Sequence, residues 1–163
     1  MKKIIFVFML LSVFCAVTVS FGKNVITTTE VRLYYTDSQI LKLIPIRVQI
    51  PAQSPEEQAK TVLKMLIDGN DENLKIKRTI PKIPGGMSVY VKDEIAYVDI
   101  KKSILDKHTD GRDIELLTVY SIVNSLASIK GINNVRFTID GKIQRNFMGY
   151  LDMRETFIPD YMI

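Results

Sequence analysis

The chain has one cysteine and one histidine among its 163 residues, and both scarcities exclude chemistry. The cysteine, Cys15, lies inside an N-terminal apolar run, so the rest of the chain has no disulfide framework, no thiolate nucleophile and no cysteine-based metal site. The histidine, His108, sits in the loop Asp106-Lys107-His108-Thr109-Asp110. As a general base it would need Asp106 or Asp110 to orient it, and no Gly-x-Ser-x-Gly element accompanies it. It reads as a solvated loop residue. An excess of one charge sign is also missing. Setting aside Lys2 and Lys3, 20 Lys and Arg face 18 Asp and Glu, interspersed rather than striped, which excludes a nucleic-acid binder.

What is present begins with export. Met1-Lys2-Lys3 precedes an uncharged run from Ile4 to Val19, followed by Ser20-Phe21-Gly22. This is a charged n-region, an apolar h-region and small residues at −3 and −1 of a cut before Lys23. The run reaches about 24 Å as a helix against a bilayer core of roughly 30 Å, too short for a comfortable permanent span. It predicts a cleaved signal peptide over residues 1–22 and an extracytoplasmic, envelope-associated protein, with an uncleaved anchor the alternative. Val13-Phe14 before Cys15 suit lipoprotein processing poorly. Residues 23–29 are expected to form a short tether, 30–158 one domain, and 159–163 a C-terminal tail.

Within the domain, Val31, Leu33 and Tyr35 alternate with polar neighbours, the period of a half-buried strand. Ile44, Ile46, Val48 and Ile50 form one face of a second strand, and Pro45 places that strand at a sheet edge. Ser54-Pro55-Glu56-Glu57 starts a helix that buries Ala59, Val62, Leu63 and Leu66 and stops at Asp68-Gly69. An irregular stretch from Asp71 to Gly86 leads to a hairpin with Met87, Val89 and Val91 on one arm and Ala96, Val98 and Ile100 on the other, turning at Asp93-Glu94. Lys101 to Gly111 reads as a polar loop. A helix over about 112–129 follows, with Leu116, Val119, Tyr120, Val123, Leu126 and Ala127 as its apolar face. Val135, Phe137 and Ile139 make another strand, with Asp140-Gly141 turning into a short return strand at 142–144. The order predicts an α+β fold: a two-layer sandwich in which two helices pack on one face of a mixed or antiparallel sheet.

Candidate chemistry is thin. Asp68, Asn70 and Glu72 are spaced like the start of a calcium loop, but Asn73 replaces the required glycine and Thr79 the final glutamate. Asp99 and Asp152 are conceivable as a carboxylate pair, though Asp99 at a strand end reads as a turn cap. No catalytic residue, metal ligand or cofactor site is assigned, and the protein is not read as an enzyme. Two surfaces remain as candidate interaction sites. The second helix carries no charge between Glu115 and Lys130 and presents Thr118, Ser121, Ser125 and Ser128. The sheet face opposite the helices is expected to carry Arg32, Tyr34, Tyr90, Tyr97 and Arg136, with the segment Phe147 to Ile158 as its alternative cover.

Several segments in order resemble the GerMN domain of GerM-type sporulation and spore germination proteins. They are Val31-Arg32-Leu33-Tyr34-Tyr35, the helix from Ala59 to Gly69, Ala96-Tyr97-Val98-Asp99-Ile100, the run Gly131 to Lys142, and Gly149-Tyr150-Leu151-Asp152. Members of that family often carry two such domains, and this chain has room for one. The resemblance implies an exported, non-catalytic module acting in assembly or support of an envelope-associated protein complex. The partner would be an envelope protein or a second copy of the chain. The alternative is a module binding cell-wall glycan through the tyrosine-bearing face.

The leader makes a direct prediction. N-terminal sequencing of the extracytoplasmic protein should begin at Lys23, and an intact Met1 would establish the anchored form.

Overall fold

A computed structural model describes residues 27–69 and 75–163. The signal peptide and its cleavage site, and Asn70, Glu72 and Asn73 of the calcium-like spacing, lie outside the described residues. Strand β1 (Thr28–Asp37) pairs antiparallel with β2 (Leu43–Pro51) along its whole length. Helix α1 (Pro55–Asp68) follows, then a two-residue strand β3 (Ile76–Lys77) on the other side of the end of β1. Strands β4 (Met87–Lys92) and β5 (Ile95–Ile100) form the expected hairpin. A short helix α2 (Lys102–Leu105) and the long helix α3 (Arg112–Leu126) lead to β6 (Asn134–Ile139), which lies parallel to β5. The α+β class holds, with the strands shared between two three-stranded sheets, β2-β1-β3 and β4-β5-β6, rather than one.

Local chemistry explains most element boundaries. Ser54 Oγ accepts a hydrogen bond from the Glu57 N–H at 3.3 Å, with Pro55 at the first helical position. Gly69, at φ 74°, donates its N–H to the Met65 carbonyl and closes α1. Asp93 and Glu94 sit at φ 50° and 61°, the paired positive dihedrals that let a two-residue turn match the twist of its strands. A parallel β5–β6 pair cannot be joined by a tight turn, so the chain crosses over through α2 and α3.

One hydrophobic core joins the two sheets. Val31, Leu33 and Tyr35 from β1 meet Val62, Leu63 and Leu66 from α1, Val98 and Phe137 from the second sheet, and Val119, Ile122 and Leu126 from α3. The loop expected over 101–111 carries α2, because Ile104 turns inward and is 1% exposed. The return strand expected at 142–144 is reduced to a single bridge between Lys142 and Ile139.

Candidate functional site

Helix α3 and the turn that ends it hold four of the residues singled out from sequence, and the structure turns them toward the chain's own segments. Ser121 and Ser125 are 3% and 0% exposed. Ser121 Oγ donates to the Tyr34 carbonyl, while Ser125 Oγ accepts from the Tyr34 N–H at 2.8 Å. Just past the helix end, Ser128 Oγ accepts from the Arg32 N–H at 3.0 Å, and its one proton lies between the Ser125 carbonyl at 2.8 Å and the Arg32 carbonyl at 3.2 Å. Strand β3 reaches β1 only at Thr36 and Asp37, so this side of β1 has no strand partner along most of its length. Ser121 and Ser125 on one face of α3, with Ser128 in the turn just after it, supply the donors and acceptors that a neighbouring strand would have supplied. The serine face expected to meet another molecule is buried on the chain's own first strand.

The other polar side chains of α3 work the same way. Glu115 is fully buried, and its two carboxylate oxygens accept from the Tyr150 and Leu151 N–H groups at 3.1 and 2.9 Å. Asn124, also fully buried, donates to the Asp160 carbonyl at 2.6 Å and accepts from the Asp160 N–H at 3.0 Å. The Thr118 hydroxyl lies between two partners, His108 Nε2 at 2.8 Å and the Ile114 carbonyl at 2.7 Å. A helix without charge along its central length thus satisfies the backbone of three separate segments and orders one loop.

His108 is half-buried rather than solvated, its ring edge-on to Phe147 at 6.2 Å. Burial pushes its pKa below the ordinary 6.5, only partly opposed by the Thr109 carbonyl at 2.7 Å from Nδ1 and by nearby Glu115. In the neutral ring Nδ1 donates to Thr109, so Nε2 is an acceptor and takes the Thr118 hydroxyl proton. Protonation makes Nε2 a donor and turns that hydroxyl to Ile114.

The aromatic candidates separate. Tyr34 is buried against Leu43 and Leu117 on the first sheet, and Tyr161 stacks on it at 5.8 Å with the Arg32 guanidinium 5.9 Å from the Tyr161 ring. The covering residues are 160–163, not 147–158; Phe157 instead exchanges two backbone hydrogen bonds with Val135 on the outer edge of β6. Tyr90, Tyr97 and Arg136 stay together as one cross-strand row on the outer face of the second sheet. The two rings stack at 4.7 Å and 3°, Tyr90 is 52% exposed, and an Arg136 guanidinium nitrogen donates to the Arg154 carbonyl. The single face expected to unite five residues is therefore two patches, because Arg32 and Tyr34 belong to a different sheet.

The carboxylate candidates brace turns. Asp99 Oδ1 accepts from the Thr138 hydroxyl at 2.8 Å and the Gly141 N–H at 2.6 Å. Burial raises its pKa, but the Gly141 N–H, Thr138 and Lys101 outweigh that and leave it lowered. It caps the turn after β6 rather than the turn after its own strand. Asp152 is held by a forked hydrogen bond from Arg154, which drives its pKa to about 2. Among the described residues no group of three or more His, Cys, Asp or Glu could hold a metal ion. Nothing in the sequence distinguished Glu115 from an ordinary acidic residue in a first helical turn.

Comparison with known proteins gives three solved structures of similar fold. A protein from Clostridium perfringens, provisionally called a lipoprotein, matches with a TM-score of 0.57 at 20% identity, over 82% of this chain and 89% of that one. The tandem GerMN domains of the sporulation protein GerM from Bacillus subtilis match with a TM-score of 0.58 at 18% identity, over 76% of this chain and 43% of theirs. The first of those domains alone gives 0.55 at 19% identity, over 76% of this chain and 91% of its own. No curated protein matches the sequence. The family described as Germane: Sporulation and spore germination matches residues 32–145.

Two outcomes follow from this geometry. Ser125→Ala should cost about 1–3 kcal/mol in a denaturant melt, because the buried Tyr34 N–H is left unpaired. Ser128→Ala should cost less, since water can replace a more exposed hydroxyl. For His108 the folded pKa is the lower one, so its share of stability is present above 6.5 and is lost as pH falls below 6.5. Melts between pH 7 and pH 5 should show that loss, and His108→Gln should flatten it.

Proposed function

This chain belongs to the Germane family of sporulation and spore germination proteins, and from that premise we propose that it is an exported, non-catalytic module that builds or braces an envelope-associated protein assembly. The family match over 32–145 carries the reading. A sporulation protein and a provisionally named lipoprotein among the similar folds support the compartment. The non-catalytic part is supported by the side chains that chemistry would need: Asp99, Asp152, Glu115 and His108 are each engaged in holding a turn, a segment or a loop.

The contact surface proposed for the assembly is the row Tyr90-Tyr97-Arg136. It stands on a rigid sheet and combines exposed aromatic area with a guanidinium, the residue types that dominate interface hot spots. Stacking occupies one face of each ring, leaving hydroxyl edges and the side of Tyr90 for a protein surface.

The tagged protein should co-purify an envelope protein, and Tyr90→Ala should cut that recovery at least tenfold while leaving the melting temperature within a degree or two. Retention of the partner by a folded Tyr90→Ala protein would remove this surface from the proposal. Pelleting of the wild-type chain with isolated peptidoglycan, abolished by the same substitution, would instead establish a glycan ligand.

A further inference from the structure

Strand β2 is the outer strand of its sheet, and among the described residues no strand pairs with its far side. The backbone groups facing outward can be identified. Arg32 and Tyr34 give their own N–H and C=O groups to α3, so their partners Arg47 and Pro45 form non-hydrogen-bonded pairs with them and point away from β1. By alternation the outward residues of β2 are Leu43, Pro45, Arg47, Gln49 and Pro51. Both prolines lack an N–H. The Leu43 N–H is taken by the Ile163 carbonyl at 3.3 Å. Two donors remain, Arg47 and Gln49, placed symmetrically about Val48.

We propose that this edge pairs with the same edge of a second copy, antiparallel, about a two-fold axis through Val48. In that register Arg47 of each copy lies opposite Gln49 of the other, and the two pairs exchange four backbone hydrogen bonds, which satisfy every free donor. Pro45 falls opposite Pro51 at both ends, where neither ring has an N–H to donate and the two carbonyls stay with solvent. An axis through Arg47 would set two guanidinium groups against each other, a repulsive cross-strand pair, and would face the Gln49 carbonyl with a proline ring. The charge on Arg47 therefore selects the register centred on Val48.

Side chains on the inner face support the pairing. Ile44, Ile46 and Val48 are only half-buried, and Ile46 and Val48 line an open groove of about 160 Å³ together with Met65. Across the axis Val48 meets Val48, and Ile46 meets Ile50, of the second copy, which extends the apolar face into a continuous six-stranded sheet. The inference concerns the chain with itself and holds whether or not the tyrosine row recruits an envelope protein.

A cysteine placed on the axis tests it. In the proposed register Val48→Cys puts two Cα atoms about 4.5 Å apart, within the roughly 4.4–6.8 Å that a disulfide spans. Mild copper-phenanthroline oxidation of the exported protein should give a covalent dimer that the wild-type protein, oxidised alongside, does not give. Leu41→Cys, on the exposed hairpin tip, should not. Absence of the Val48→Cys dimer in a folded protein, or efficient cross-linking through Leu41→Cys instead, would overturn the proposal. Gln49→Arg gives an independent reading. It faces Glu30 within the chain, which leaves the monomer's melt unchanged or raised, but Arg47 of the second copy across the axis. The dimer dissociation constant in sedimentation should rise about fivefold; a monomeric wild-type chain, or association unaffected by Gln49→Arg, would also refute it.

Discussion

The structure depends on α3 acting as a strand without being one. A sheet edge carries a row of backbone N–H and C=O groups that must be paired or solvated, and around Tyr34 the edge of β1 lies too deep in the core for water to serve. Ser121, Ser125 and Ser128 supply those partners from a helix. Small side chains let the helix backbone come close enough for hydroxyls to reach, and a charge at any of these positions would be buried without compensation. The run free of charge between Glu115 and Lys130 is thus a packing requirement. Joining the two sheets follows from it, because the same helix that seals β1 sends Val119, Ile122 and Leu126 into the core shared with β5 and β6.

Edge management recurs around the molecule by different means. Glu56, in the first turn of α1, accepts from the Val91 N–H on the outer edge of β4 at 3.3 Å. Phe157 pairs with the outer edge of β6, and two prolines interrupt the donors of β2. Two sheets of three strands have a high ratio of edge to interior, so polar groups on helices and in the C-terminal segment are committed to backbone before any are left for a ligand.

Periodic features were legible from the residues themselves. The alternation of Val31, Leu33 and Tyr35, the Ser54-Pro55 helix start, the Asp93-Glu94 turn and the edge position implied by Pro45 all appear in the fold. Each rests on local physics: side-chain period, capping or backbone dihedral. What escaped was non-local. A helix face of serine and threonine reads the same whether it meets water or a strand edge, because the hydroxyl is competent with both. The parallel pairing of β5 with β6, and so the division into two sheets, depends on a crossover that no short window contains. Ile104 and Leu105 were the only apolar residues in a polar stretch, too few to reveal a helical turn. Signals that could have helped were the i, i+4, i+7 spacing of Ser121, Ser125 and Ser128 on an otherwise charge-free helix and the positive φ demanded by both Asp-containing turns.

The serine seal also sets a timetable. Tyr34 and the Ser125 hydroxyl that satisfies its N–H are 91 residues apart in the chain. At a synthesis rate of ~5–20 residues per second, the β1–β2 hairpin is complete on the order of 4–15 s before its sealing helix exists. Throughout that interval one edge of the nascent hairpin is unprotected while the other is already broken by Pro45 and Pro51. Template-driven aggregation of a growing chain needs a long open edge on both sides to propagate; the β2 edge, with donors only at Arg47 and Gln49 between its prolines, can pair with one copy but cannot extend a ladder, and that limit holds until the helix arrives.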